Sequence, residues 1–238
     1  MARLPRFVLP GFPQHVIQRG NHGQQILFRE DDYWFLWEKI GDAAEKFDCR
    51  IHAYCLMPNH LHLLLTPDSP NGIGKLMQYI GRFYVRYFNR DNDHTGTLWE
   101  GRYRATLLDP AVWLIPVSQF IENNPVRAGL VTEPSDYGWS SYAANASGGD
   151  DRLITPHAVY TSLGSSREAR LAAYATGCAT PMGADQLKRI RDATNKAWVL
   201  GDDTFCQHVE QQLNRRTQPR QRGGDRRSAA YRISSELD

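Results

Sequence analysis

Two apolar runs separated by a Pro-Asn pair constrain the fold more than any other feature of the chain. Residues 51–57 and 60–66 each predict a strand, and Pro58 and Asn59 between them are typical turn residues. So short a connection joins antiparallel strands and leaves no room for a crossover helix. The pattern therefore predicts a β-hairpin and argues against a doubly wound parallel sheet.

Further strand and helix signals surround this hairpin. Strands are predicted at residues 14–18 and 103–108, and helices at residues 30–47 and 71–89. A third helix begins at Asp109 and Pro110, ends before Pro125, and is expected to kink at Pro116. The order β-α-β-β-α-β-α predicts an α+β fold, an antiparallel sheet with packed helices.

The second half of the chain changes character. Residues 145–151 have a loop-like composition, so we place a domain boundary there. Helices are predicted beyond it, including residues 166–176 and 184–196. Residues 214–228 hold six arginines against one acid, which is typical of a flexible basic tail. We therefore expect a domain at 1–147, a helical extension at 148–213 and a basic tail at 214–238.

Composition excludes several classes of protein. Charged residues make up 23% and hydrophobic residues 41% of the 238, with a formal charge of +2, which argues against a disordered, fibrous or membrane-spanning chain. The N-terminus does not resemble a signal peptide. The four cysteines are widely spaced without a CxxC pair, so we expect reduced thiols in a cytoplasmic protein.

His60 and His62 are the first candidate functional residues. Side chains alternate along a strand, so both imidazoles project from one face while Leu61, Leu63 and Leu65 project from the other. Two imidazoles in this arrangement suit one divalent metal ion. The alternative is that one histidine is a hydrogen-bonded core residue and the other is exposed.

A second candidate lies on the third helix. Phe120, Asn123 and Asn124 are spaced to share one face near its C-terminal end. Asparagines followed by Pro125 are also an ordinary helix stop, which is the simpler interpretation.

Four motifs together resemble the REP-associated tyrosine transposases, relatives of the single-tyrosine HUH transposases. The resemblance extends over residues 9–142. It rests on RGN at 19–21, HAYCLMPNHLHLLL at 52–65, TLWEGRYRA at 97–105 and NNPVRAGLV at 123–131. It implies a ferredoxin-like HUH domain in which His60 and His62 bind Mg²⁺ or Mn²⁺ and the metal polarises the scissile phosphate of single-stranded or hairpin DNA. A third metal ligand is not assigned; His15, Gln18 and Asn124 are candidates.

The chain departs from the family at the nucleophile. The family places a catalytic tyrosine five residues before the proline of NPVRAG, and this chain has Phe120 there. A phenyl ring has no oxygen with which to attack phosphorus. Either the tyrosine was deliberately replaced by phenylalanine, which we favour because the other motifs are intact, or this is a natural member that binds DNA without cutting it. Substitution by Tyr79, Tyr84, Tyr87 or Tyr103 is not expected.

Cations and aromatics on the second helix predict a DNA-binding stripe. Arg82, Arg86 and Arg90 recur every four residues, with Phe83, Tyr84, Tyr87 and Phe88 interleaved, a pattern suited to phosphates and stacked bases. A solvated arginine face over an aromatic core is the alternative. The full set of expected DNA contacts is Arg19, Asn21, Arg82, Arg86, Arg102, Tyr103, Arg104, Asn124, Arg127, Arg215, Arg216, Arg220 and Arg222.

Two classes of function therefore remain open. The first is a metal-dependent enzyme that cleaves and joins DNA strands at palindromic hairpins through a 5′-phosphotyrosine. This chain is expected to be inactive because Phe120 replaces the catalytic tyrosine. The second is a DNA-binding protein of repeat hairpins without catalysis. In either case we expect no membrane, no organic cofactor, a monomer by family resemblance, and a cytoplasmic, nucleoid-associated bacterial protein.

Overall fold

A computed structural model describes residues 6–218 of the chain, so the expected contacts of Arg220 and Arg222 lie outside the described residues. The four strands form a single antiparallel sheet in the order β2-β3-β1-β4. They are β1 (Gln14–Arg19), β2 (Cys49–Met57), β3 (His60–Pro67) and β4 (Arg104–Leu107). With the intervening helices this is the ferredoxin-like arrangement, and the predicted α+β fold is confirmed.

Three long helices follow the predicted positions closely. They are α1 (Glu30–Lys46), α2 (Gly72–Asp91) and α3 (Pro110–Glu122), and the Asp109 side chain caps α3 by accepting a hydrogen bond from the Ala111 amide. The remaining helices are α4 (Asn124–Arg127), α5 (Tyr142–Ser147), α6 (Ala158–Thr161), α7 (Arg167–Ala179), α8 (Ala184–Lys196) and α9 (Asp203–Leu213).

The sheet has a different helical cover on each face. Leu61, Leu63 and Leu65 pack with α1 and α2 in one core, as the strand alternation predicts. Leu64 points the other way and packs with α3 and α8 in a second core. Since His60 and His62 have the same parity as Leu64, the two histidines lie on the face that α3 and α8 cover.

Residues 145–147 are helical rather than loop. Asn145 is buried in α5, and its amide donates hydrogen bonds to the backbone carbonyl of His52 and to the Glu122 carboxylate. Asparagine is typical of loops, but a polar side chain whose hydrogen bonds are satisfied inside the protein can be buried in a helix. The start of the predicted tail is also packed, since Thr217 is buried and bonded to Glu210.

Two further sequence expectations concern the whole described chain. All four cysteines are free and buried. Within residues 6–218, none of the helices combines the length and the apolar character needed to cross a membrane.

Candidate nucleic-acid processing site

The two histidines of β3 open into a pocket of about 240 Å³ between the sheet and helices α3, α4 and α8. Their rings lie edge to face with centroids 4.9 Å apart, so both project from one face of the strand. His62 is buried and His60 is half-buried, so neither histidine is exposed. The pocket is lined by His15, Ile17, Arg19, His60, His62, Phe120, Asn124, Arg191, Thr194 and Asn195.

His60 is held between two asparagines. Its Nδ1 lies 2.6 Å from Oδ1 of Asn59, an oxygen that only accepts, so Nδ1 carries the ring proton. Its Nε2 lies 2.9 Å from Nδ2 of Asn124 and accepts from that amide. The lone pair on Nε2 is therefore occupied by the Asn124 amide, which an ion would have to displace, and Asn124 is the candidate ligand that lies nearest to it.

His62 is held from the opposite side by His15. Nδ1 of His62 lies 2.9 Å from Nε2 of His15, and Nδ1 of His15 lies 2.9 Å from Oγ1 of Thr194. The two imidazoles are stacked with centroids 5.0 Å apart. His15, one of the three candidates for the third ligand, thus supports His62 from behind.

Burial keeps these imidazoles neutral. It lowers the pKa of His15 to about 3 and that of His60 to about 4, with the charges of Arg127 and Arg19, respectively, acting in the same direction. Burial, reinforced by neighbouring His60, lowers the pKa of His62 well below its usual value. Neutral imidazoles have the free lone pair that a metal ion requires.

The donor set fits a divalent ion. Two neutral imidazoles supply nitrogen donors, which suit a transition ion such as Mn²⁺ better than Mg²⁺. Asn124 can add an oxygen donor only if its amide turns over, because its Nδ2 faces His60 and its Oδ1 lies 3.4 Å from the Arg127 guanidinium. In the described part of the chain, no cluster of three or more His, Cys, Asp or Glu side chains is arranged to hold a metal. An ion here would therefore depend on the amide and on water or phosphate oxygens to complete its coordination.

Phe120 lies at the side of the same pocket. Its ring centroid is 6.0 Å from that of His62 and 5.8 Å from that of His15, both edge-on. The guanidinium of Arg127 covers the ring and donates a hydrogen bond to the Phe120 carbonyl. Helix α3 thus brings the position of the family's nucleophile beside the histidine pair.

A second, strongly basic cavity adjoins the pocket. It has a volume of about 360 Å³, and we call it the basic cavity. Arg104 donates a hydrogen bond to Oδ1 of Asn195 at 2.6 Å, and Asn195 lines both cavities. No acidic side chain is among its lining residues, which are Arg6, Arg102, Tyr103, Arg104, Ala105, Asn195, Lys196, Ala197, Trp198 and Arg215. Four residues expected from the sequence to contact DNA are therefore neighbours in space.

The α2 stripe lies elsewhere. Arg82 and Arg86 are exposed, but α2 covers the sheet face opposite the histidines. The alternative of an aromatic core face holds for Tyr84 and Phe88, because both rings are buried in the core and the Tyr84 hydroxyl donates to the Ile26 carbonyl. Of the four interleaved aromatics, only Phe83 is exposed, at 37%.

The remaining expected contacts are dispersed. Asn21 follows β1 in a short turn. Its backbone N–H donates a hydrogen bond to the Leu98 carbonyl, and this bond joins the RGN and TLWEG motifs. Arg19 is exposed at the end of β1 and lines the histidine pocket, whereas Arg216 is exposed beyond α9.

Sequence reasoning missed the contribution of α8. Arg191, Thr194 and Asn195 reach the pocket from a helix more than 100 residues after the histidines. Only the basic character of that helix was visible in the sequence, and nothing in it indicated a place beside β1 and β3.

A ferredoxin-like sheet with an HxH strand beside the helix that precedes NPVRAG defines the HUH class of domain. Comparison with known proteins agrees with this class. Residues 11–124 match the family described as Transposase IS200 like.

Solved structures extend the comparison. The chain is 18% identical to a REP-associated tyrosine transposase solved bound to a REP hairpin, with a TM-score of 0.52 over 67% of this chain and 93% of that one. A putative transposase from Deinococcus radiodurans is 23% identical over 51% of this chain and 97% of that one. Its TM-score of 0.36 is too low to support the fold assignment. No curated protein sequence matches the chain.

Proposed function

We propose that the chain binds single-stranded or hairpin DNA and that its histidine pocket is the cleavage and joining site of a single-tyrosine transposase. The observation that carries the proposal is the position of Phe120, which lines the same pocket as His60 and His62. In the chain as it stands the nucleophilic hydroxyl is missing, so DNA is bound and not cut.

His60, His62 and Asn124 are the residues that would hold Mg²⁺ or Mn²⁺. An ion bound there would polarise the scissile phosphate and offset its developing charge. With tyrosine at position 120, its oxygen would form a bond to phosphorus while the bond to the 3′ oxygen breaks. The tyrosine proton is lost, the 3′ oxygen leaves as a hydroxyl, and a 5′-phosphotyrosine remains. Attack by a second 3′-hydroxyl on the phosphotyrosine reverses the step. No nucleoside triphosphate is required, because the phosphotyrosine keeps the energy of the broken phosphodiester bond.

The basic cavity supports a path for the DNA flank. Arg102, Arg104 and Lys196 are exposed cations around one concave surface, and such groups attract phosphates irrespective of sequence. Asn195 connects this surface to the histidine pocket, so a strand that enters the pocket can continue along the edge strand β4. The structurally similar transposase was solved with a REP hairpin, which makes a hairpin with a single-stranded flank the substrate to test first.

Binding without catalysis is the second candidate function. Phe120 favours binding without catalysis, because this side chain is well packed against Arg127 and leaves no hydroxyl in the expected position. A palindrome-binding regulator would need the basic surfaces and the fold but not the nucleophile.

Restoring the hydroxyl separates the two candidates. Phe120→Tyr should cut an end-labelled hairpin in Mn²⁺ and give a covalent protein–DNA adduct on a denaturing gel. The unchanged chain and Phe120→Tyr carrying His60→Ala and His62→Ala are the matched controls, and neither should form the adduct. If Phe120→Tyr binds the hairpin but gives neither cleavage nor adduct, the protein is a binding module and the enzyme proposal is wrong.

A further inference from the structure

A continuous line of hydrogen bonds connects helix α8 to the histidine pair. The Thr194 hydroxyl lies 2.9 Å from the Ile190 carbonyl, and His15 Nδ1 lies 2.9 Å from the Thr194 oxygen. His15 Nε2 then lies 2.9 Å from His62 Nδ1. The side chains of Thr194, His15 and His62 are all buried, so the protons in this line can only be arranged in one direction or the other.

The first bond of the line fixes the direction of the rest. A carbonyl oxygen only accepts, so the single Thr194 proton points to Ile190 and the hydroxyl oxygen accepts from His15. His15 then carries its proton on Nδ1 and presents the lone pair of Nε2 to His62. His62 must therefore carry its own proton on Nδ1.

We propose that Thr194, acting through His15, holds His62 in the tautomer whose Nε2 is unprotonated. Thr194 and His15 are thus positioning residues for the metal site, a role that rests on the proposed function. None of the described residues forms a hydrogen bond with Nε2 of His62, whose other nitrogen is occupied by His15. His60 is fixed in the same tautomer independently by Asn59.

The opposite direction is less favourable by one hydrogen bond. If the Thr194 hydroxyl donated to His15 instead, each ring would carry its proton on Nε2 and the bond to Ile190 would be broken. One net hydrogen bond corresponds to roughly a fivefold preference between the two arrangements. In that opposite arrangement a proton would occupy the nitrogen on which metal binding depends.

This inference gives the C-terminal helices a role in the catalytic domain. Thr194 lies 70 residues beyond the end of the segment that matches the transposase family, which is residues 11–124. The helix that carries it also supplies Arg191 and Asn195 to the pocket. The proposed orientation of His62 therefore depends on α8.

Long-range ¹H–¹⁵N spectra of histidine-labelled, metal-free protein test the tautomers directly. His15 and His62 should both be protonated at Nδ1 in the unchanged chain. Thr194→Val keeps the shape of the side chain and removes the hydroxyl, so the Nε2-protonated form of His62 should become populated. Affinity for Mn²⁺, measured by calorimetry, should fall by about twofold, because the binding-competent tautomer drops from about five sixths to about half of the molecules.

Two controls separate this effect from loss of packing. Thr194→Ser keeps the hydroxyl and should retain both the tautomer and the affinity. Thr106→Val removes another buried hydroxyl on the same sheet face, one that donates to the Trp198 carbonyl and not to His15, and it should leave both readouts unchanged.

Two results would overturn the inference. One is a His62 that is protonated at Nε2 in the unchanged chain, a measurement that needs no variant to fold. The other is Thr194→Val with unaltered tautomers and unaltered Mn²⁺ affinity. Failure of Phe120→Tyr to cut DNA would refute the enzyme proposal and leave these tautomer measurements unaffected, so the two failures are distinguishable.

Discussion

The guanidinium carbon of Arg127 lies 4.3 Å from the centroid of the Phe120 ring. Burial lowers the pKa of Arg127 to about 10, and the neighbouring charge of Arg191 acts in the same direction. No carboxylate in residues 6–218 forms an ion pair with Arg127, and its Nε has no hydrogen-bond partner there. A half-buried cation without an anionic partner destabilises the folded chain, and an anion bound beside it, in the neighbouring cavity that Arg127 lines with Gln119 and Asn123, would relieve that cost.

Arg127→Met tests whether the charge of Arg127 contributes to DNA binding. Methionine has similar length without the charge, so we expect thermal stability to be unchanged or higher and affinity for a DNA hairpin to fall by about tenfold or more. Thermal unfolding and fluorescence anisotropy measure the two quantities. A variant with lower stability and unchanged DNA affinity would show that Arg127 is a structural residue.

Divalent-ion binding should depend on the histidine pair. We expect His60→Ala or His62→Ala to lower Mn²⁺ affinity by at least about 100-fold in calorimetry, because each removes one of few strong donors. His208→Ala, an exposed histidine on α9, is the matched control and should bind as the unchanged chain does. Equal binding by all three variants would rule out this metal site.

The two basic surfaces make different predictions for a short single strand. Arg102→Ala with Lys196→Ala should weaken binding and reduce the salt dependence by about 0.7 in log–log slope for each phosphate that is no longer neutralised. Arg82→Ala with Arg86→Ala removes the same charge from the opposite sheet face and should have the smaller effect. A larger loss of affinity for Arg82→Ala with Arg86→Ala would place the DNA on α2.

Local patterns predicted most of the fold. The hairpin, the long helices and the common face of His60 and His62 depend on alternation and capping within a few residues, and all three are present. Cysteine spacing likewise predicted free thiols, which are observed.

Long-range packing accounts for what could not be predicted. Thr194 reaches His15 across 179 positions of sequence, and no periodicity reports such a contact. The α2 pattern of cations and aromatics fits a DNA stripe and an amphipathic core helix equally well, and only the packing of Tyr84 decides for the core. Arg82 and Arg86 as DNA contacts stay a prediction.

Gly20, in the RGN motif, should be required for packing rather than for DNA contact. A Cβ there would collide with the Gln24 carbonyl and lie 2.8 Å from Cγ2 of Ile26. We expect Gly20→Ala to lower the free energy of unfolding by about 1–3 kcal/mol in urea titrations. Gly81→Ala is the matched control, since its Cβ would meet Trp99 at 3.7 Å and a helix interior favours alanine by about 0.5–1 kcal/mol. Equal stability of the two variants would contradict this view.

Glu122 should give the protein a pH-dependent stability. The buried carboxyl accepts hydrogen bonds from Ser141, Asn145 and Tyr174 at 2.5, 2.8 and 2.7 Å. Burial raises its pKa to about 7 despite these donors, which act in the opposite direction. The folded state therefore binds its proton more tightly than the unfolded state does. This stabilisation is complete below about pH 4.5 and is lost as the pH rises towards 7 and above, up to about 3 kcal/mol in all.

Glu122→Gln isolates this contribution because the amide cannot ionise. Urea unfolding at pH 5 and pH 8 should show a loss of stability in the unchanged chain that is absent or much smaller in Glu122→Gln. Glu38→Gln, on the exposed side of α1, should follow the unchanged chain. If Glu122→Gln loses as much stability between the two pH values as the unchanged chain, Glu122 is ionised throughout and its three donors outweigh the effect of burial.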